Sequence, residues 1–295
     1  MRMIVAAIFL ASLAGHLQAQ RDHREYPITR QDVVERTLRF AGGDVHTLDV
    51  RVINGSIQVT GDGGNDVRLH IDRTIEAERE QFVDEARRDV RLDTMDGADT
   101  VGLVVREPHG AACGEPYNNN GSREPWWDRA RYRVRTDVTV HVPAAIRFRV
   151  CGINSKDVDI AGVTGDFDVT NVNGPVRVQG VRGSGRATTV NGAVTVTFLE
   201  GPRDESLLKT VNGDITATFP SSLSADLKLK TFHGGLFTDF DVTPVAARPT
   251  TAPDRRNGRY VYRMGGFTLV RAGRGGPEIT LETLNGDVRV VRATR

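Results

Sequence analysis

Residues 170–219 read TNVNGPVRVQGVRGSGRATTVNGAVTVTFLEGPRDESLLKTVNGDITATF. One phrase occurs three times in this stretch: an apolar residue, Asn-Gly, any residue, then an apolar–polar–apolar strand. The pairs are Asn173-Gly174, Asn191-Gly192 and Asn212-Gly213, at steps of 18 and 21 residues. A degenerate copy follows at Phe232-His233-Gly234-Gly235-Leu236. Clean copies stand at Ile53-Asn54-Gly55-Ser56-Ile57 and at Leu284-Asn285-Gly286-Asp287-Val288, and Asn154-Ser155 is an eroded one. Self-similarity at this period marks a stacked repeat architecture.

Asn-Gly between alternating residues is also the strongest short hairpin signal, so the two readings compete. In a two-residue hairpin the residues before Asn and after Gly face each other. The residue before Asn is apolar (Ile53, Val172, Val190, Val211, Phe232, Leu284). The one after Gly is Ser56, Pro175, Ala193, Asp214, Gly235 or Asp287, and the apolar residue comes one later. A slip of one sends a side chain to the opposite face. A corner in a stack accommodates that slip, with glycine supplying the backbone bend; a bulged hairpin would also absorb it. On the corner reading, the apolar residues on both arms point into one interior, and in-register asparagines form a ladder. The expected fold is all-β: a right-handed β-solenoid, or β-helix-like stack, of rungs of about 20 residues with one short helix in the N-terminal third.

Outward from the repeat, residues 1–19 have the short positive start, 12-residue apolar run (Ile4 to Gly15) and small terminal residue of a secretory signal peptide. Residues 20–44 form an N-terminal arm and first strand, with strand signals from Glu35, and 45–295 the repeat domain. The helix is expected at Glu76 to Arg88, where helix formers dominate and Phe82, Val83 and Ala86 make an apolar stripe. Two segments interrupt the strands: an irregular loop at 107–129, and an insertion at 241–276 expected to project from the stack, with a hairpin near Arg259 to Arg263. No later run is long and apolar enough for a membrane-spanning helix.

With Arg2 removed, basic and acidic residues balance at 38 each. Nucleic-acid binding needs clustered positive charge, so no nucleic-acid partner is expected. Cys113 and Cys151 are the two cysteines. In an oxidising compartment they either pair or stay as free thiols. Trp126 and Trp127, at the end of the loop, are either a binding pair or plugs beneath it. The expected location is exported, periplasmic or extracellular.

The signal peptide, the series of V-N-G-x-[VI]-x-[VA] phrases, the helix followed by a long strand, and the terminal Leu284-Asn285-Gly286-Asp287-Val288-Arg289-Val290 resemble the DUF4097 family, a bacterial group of candidate adhesins. The resemblance spans about Val45 to Arg295. It implies an exported or envelope-associated β-helix-like domain, and it brings no catalytic residues to carry over.

The chemistry-bearing residues are sparse. The histidines are scattered, and neither a zinc motif, a nucleophile elbow nor a phosphate loop occurs. Asp157 with Asp159, and Asp166 with Asp168, lie at strand spacing, where they either share a cation or are solvated. No catalytic residue, cofactor or metal site is expected. The leading function is a non-enzymatic envelope protein in adhesion, binding an envelope protein or a surface polysaccharide. The competing one is a carbohydrate-active β-helix enzyme of lyase or hydrolase type, which would need carboxylates and a basic residue converging in one groove.

Overall fold

The computed structural model describes residues 25–42, 46–108, 112–115, 131–245, 254–256, 259–261 and 266–294, with the backbone alone for 254–256 and 259–261. Residues 1–19, where a signal peptide is expected, most of the 107–129 loop and both tryptophans lie outside them.

The chain begins with β1 (Ile28–Leu38), β2 (Thr47–Asp62), β3 (Val67–Ala77), α1 (Glu80–Asp89), β4 (Arg91–Asp96), β5 (Thr100–Arg106) and β6 (Tyr132–Pro143). The repeats supply β7 (Arg147–Ala161), β8 (Phe167–Thr170), β9 (Val176–Val181), β10 (Gly185–Thr188), β11 (Val194–Phe198), β12 (Ser206–Lys209), β13 (Ile215–Phe219), β14 (Ala225–Lys230) and β15 (Leu236–Thr238). The insertion holds β16 (Val242–Pro244), β17 (Asp254–Arg256), β18 (Arg259–Val261) and β19 (Thr268–Ala272). The chain closes with β20 (Glu278–Glu282) and β21 (Val288–Arg292).

The repeats stack as the corner reading requires. The arms before the corners pair in parallel in the order β5, β2, β7, β8, β10, β12, β20, β14. The arms after them run β6, β2, β7, β9, β11, β13, β21, β15, also in parallel. β2 and β7 are long enough to pass through the corner and serve both arms. Asn173, Asn191, Asn212, Asn285 and His233 are bridged in register from rung to rung. A glycine is required where rungs press together: a Cβ on Gly213, whose φ is +157°, would lie 2.1 Å from the Gly192 carbonyl oxygen.

Among the seven corner-bearing rungs, spatial order departs from chain order once. The closing rung, 278–292, lies between rung 206–219 and rung 225–238. Among the described residues, the rung latest in the sequence is thus sixth of seven, and residues 225–238 form the seventh.

Both ends of the stack are covered by antiparallel strands. β1, β3 and β6 extend the second arm, and β4 pairs on β5. α1 leads from β3 to β4 and buries Phe82, Val83 and Ala86 against Ile75, Ala77 and Tyr132. The helix starts later than its composition suggests because Glu76 and Ala77 are held in β3 by pairing to both β1 and β6. The same pairing draws the first strand back from Glu35 to Ile28. At the other end β19 pairs antiparallel with β14, and β16 with β19. These parts of the insertion cover a sheet edge rather than project. β17 and β18 form the hairpin, beginning at Asp254.

On the second arm, core columns run through the stack but stop short of the seventh rung, where Leu236 is exposed. Val176, Val194, Ile215 and Val288 form one, and Val178, Val196, Ala217 and Val290 the next, all fully buried. Phe148, Phe167, Phe198 and Phe219 make an aromatic column with centroids 4.7 to 6.1 Å apart. One expectation is corrected. Beyond Ile53, which is buried, the apolar residue before Asn stays out of the core: Val172 and Val211 are half-buried, and Val190, Leu284 and Phe232 are exposed. Alternation along the first arm places the residue before it inside, and that residue is Asn171, Thr189, Thr210 or Thr283.

Candidate binding surface along the Asn-Gly corner

Each corner has an inner and an outer side. On the inner side, threonine hydroxyls donate across rungs to glycine carbonyls: Thr189 to Gly174 (2.8 Å), Thr210 to Gly192 (2.8 Å), Thr283 to Gly213 (2.9 Å) and Thr231 to Gly286 (2.7 Å). Asn171 takes this role in its rung, donating Nδ2 to the Ser155 carbonyl. A turn that would otherwise bury bare carbonyls is thereby satisfied. The signal was present in the sequence as Thr two residues before Asn, but it is masked by the many other threonines.

On the outer side the asparagine amides form a ladder with one direction. Asn285 Nδ2 donates to Asn212 Oδ1 (2.7 Å), Asn212 to Asn191 (2.8 Å), Asn191 to Asn173 (2.9 Å), Asn173 to Asn154 (2.7 Å) and Asn154 to Asn54 (2.9 Å). Asn54 Nδ2 donates to the Glu107 carboxylate. At the far end His233 Nδ1 meets Asn285 Oδ1 at 2.8 Å. The ladder therefore runs from a histidine through six asparagines to a buried carboxylate.

Glu107 is 8% exposed. Burial pushes its carboxyl up to about 7, and the Asn54 bond opposes that shift. Nothing in the sequence singles out Glu107, because its role comes from its position beside the first corner. The chain just beyond it is tied down. Cys113 and Cys151 form a disulfide with Cα atoms 5.7 Å apart. Glu115 pairs with Arg106 at 2.9 Å and with Arg51 at 3.3 Å, and the Arg106 bond holds its carboxyl below the usual range.

Beside the ladder stands an apolar ridge made of the residues before each Asn: Ile53, Ile153, Val172, Val190, Val211, Leu284 and Phe232, in stack order. Its most exposed part lies towards the seventh rung. Ile53 is buried and Val172 and Val211 are half-buried, whereas Val190 is 38%, Leu284 45% and Phe232 64% exposed.

The paired carboxylates take a guanidinium. Arg177 Nη1 lies 3.2 Å from both Asp157 and Asp159, while Asp166 accepts from the Ser184 N–H. Among the described residues no three His, Cys, Asp or Glu side chains are grouped so as to hold a metal ion. No helix among them is long and apolar enough to cross a membrane.

The class these features define is a parallel β-solenoid with a polar-laddered corner. Among solved structures the chain is similar to a candidate cell adhesion protein from Clostridium sporogenes ATCC 15579, at 9% identity and TM-score 0.46, over 90% of this chain and 100% of that one. It is also similar to candidate adhesins from Bacteroides fragilis NCTC 9343 (12% identity, TM-score 0.35, 89% of this chain and 97% of that one) and Parabacteroides distasonis ATCC 8503 (10%, 0.28, 89% and 97%). No family model and no curated protein matches the chain, so the likeness to DUF4097 remains one of repeated motif.

Proposed function

We propose that this is an exported, non-enzymatic protein of the bacterial cell envelope, acting in adhesion, and that it meets an envelope partner or surface polymer along the outer corner. The observation that carries this reading is the ridge. Val190, Leu284 and Phe232 are large apolar side chains left exposed in one line, although alternation in the same strands buries their neighbours. Lined-up exposed apolar groups rimmed by polar ones are the anatomy of an interaction site. The adjacent amides add donors and acceptors at every rung, which suits a polymer with a repeating pattern of polar groups. The N-terminal sequence and the Cys113–Cys151 disulfide support an oxidising compartment outside the cytoplasm.

The test is a pull-down from the envelope fraction with the wild-type chain and with a Val190→Asp, Leu284→Asp, Phe232→Asp triple variant. Binding should fall at least tenfold in the variant while circular dichroism stays unchanged. Equal capture by a folded triple variant rules the corner out.

A further inference from the structure

The sixth rung is the one corner-bearing rung that the chain places out of turn. β14 receives β20 on one edge and β19 on the other, so the connection between them must step over the start of β14. It does so in residues 273–277, Gly-Arg-Gly-Gly-Pro. Gly273 and Gly275 have φ of +58° and +79°. Ser224 holds the arch: its Oγ donates to the Gly275 carbonyl (2.8 Å) and accepts from the Arg274 N–H (3.0 Å).

The slot that receives the sixth rung reads its occupant on both sides. Glu282 is held by Lys209 from the fifth rung (2.9 Å) and Lys230 from the seventh (3.1 Å). Asp214 accepts from the Asp287 N–H and pairs with Arg289 (2.8 and 2.9 Å), and Asp287 in turn accepts from the Gly235 N–H (2.8 Å). Asn285 sits in the ladder between Asn212 and His233. Ile279, Leu281, Val288 and Val290 enter the core with no exposed surface. An acidic residue, Asn-Gly and an arginine at these spacings are needed together.

We infer that the gap between the fifth and seventh rungs is a strand-accepting site, and that a second copy of this chain can fill it by exchanging residues 278–292. The occupant is a second copy because its terminus carries the sequence that satisfies both lysines, Asp214 and the ladder at once. Exchange conserves every one of those contacts, and only the glycine arch must change conformation. Synthesis order favours it as well: residues 225–238 emerge before 278–292, so the slot is open to a neighbour's terminus until its own arrives. Within one chain the high effective concentration favours self-insertion, so exchange depends on protein concentration during folding.

A charge-reversal experiment on the full chain tests this. One variant carries Lys209→Glu and Lys230→Glu, and the other carries Glu282→Lys. Each mismatches its own slot. After exchange the two glutamates introduced in the first variant hold the lysine introduced in the second, and the second variant's native Lys209 and Lys230 hold the native Glu282 of the first. The two are unfolded with the disulfide intact, mixed, refolded, and sized by light scattering with a different tag on each. The expected result is a heterodimer at least tenfold more abundant than either homodimer, stable to dilution, and absent when separately refolded chains are mixed. Monomers only, or homodimers as abundant as heterodimers, overturn the inference. If a variant cannot fold alone, rescue of its solubility by the other reports the same exchange, and joint aggregation of the mixture counts against it.

Discussion

The Asn54 amide donates to the Glu107 carboxylate, and this contact sets the direction of every amide above it. Glu107 accepts this bond through a carboxyl oxygen, so Asn54 turns its NH2 group towards Glu107 and its oxygen towards Asn154. The same constraint then passes up the ladder to Asn285, whose oxygen needs a donor, so His233 carries a proton on Nδ1. Six side-chain dipoles are thereby aligned, with their positive ends towards the carboxylate.

Glu107 should make the protein less stable as pH rises. In the unfolded chain its reference value is 4.5, and in the folded chain burial raises it to about 7. Below 4.5 both states hold the proton and there is no cost. Between 4.5 and about 7 the unfolded state has released a proton that the folded state retains, so rising pH favours unfolding. Above about 7 the folded chain holds a buried charge at a full cost of about 3 kcal/mol. Glu107→Gln keeps the acceptor for Asn54 without the charge. It should stabilise the protein by a few kcal/mol at about pH 8 and change little at about pH 4. Denaturant unfolding at the two pH values checks this, and an equal effect at both would count against it.

Thr210 tests the inner side of the corner. Thr210→Val keeps shape and burial but removes the hydroxyl that serves the Gly192 carbonyl. The expected loss is about 1–2 kcal/mol. Thr210→Ser, which retains the hydroxyl, should lose less. Equal stabilities for Val and Ser in denaturant melts would mean that the bond contributes nothing.

How much of this was legible follows from the physics of the repeat. The Asn-Gly period and the slipped apolar face belong to each rung separately, so the corners could be read from sequence. Rung order could not: Leu284-Asn285-Gly286 and Phe232-His233-Gly234 are both acceptable neighbours for Val211-Asn212-Gly213. Only cross-rung groups such as Glu282 between Lys209 and Lys230 choose between them. The ridge is hidden in the sequence because an apolar residue points to the core, although strand alternation places the polar Thr189 and Thr210 there instead. Glu107 carried no local signal, since its environment comes from Asn54, 53 residues away.

Asn212→Asp tests the ladder's direction. The new carboxylate would face Asn191 Oδ1, where Asn212 Nδ2 now donates, and two acceptors would meet. At neutral pH the variant should lose about 1–3 kcal/mol. Protonation of the introduced carboxylate restores a donor, so the loss should shrink as pH falls through the carboxylate range. A loss that is the same at every pH would mean that the amide direction is not what the variant disturbs.

The ladder should also protect its own asparagines. Asn-Gly sequences deamidate when the glycine nitrogen attacks the asparagine side-chain carbonyl, expelling ammonia to give a succinimide that water opens to aspartate or isoaspartate. In the stack those nitrogens are committed: Gly192 N–H donates to the Asn212 carbonyl (2.9 Å), Gly213 N–H to that of Asn285 (2.8 Å) and Gly286 N–H to that of His233 (2.9 Å). The amides they would attack are fixed by the neighbouring rungs. During incubation at mildly alkaline pH the native chain should therefore keep Asn191, Asn212 and Asn285 intact, while the same chain in denaturant converts them. Peptide mapping by mass spectrometry distinguishes the sites. Conversion at equal rates in both states would show that the corners open freely, and would remove the ladder as a source of rigidity.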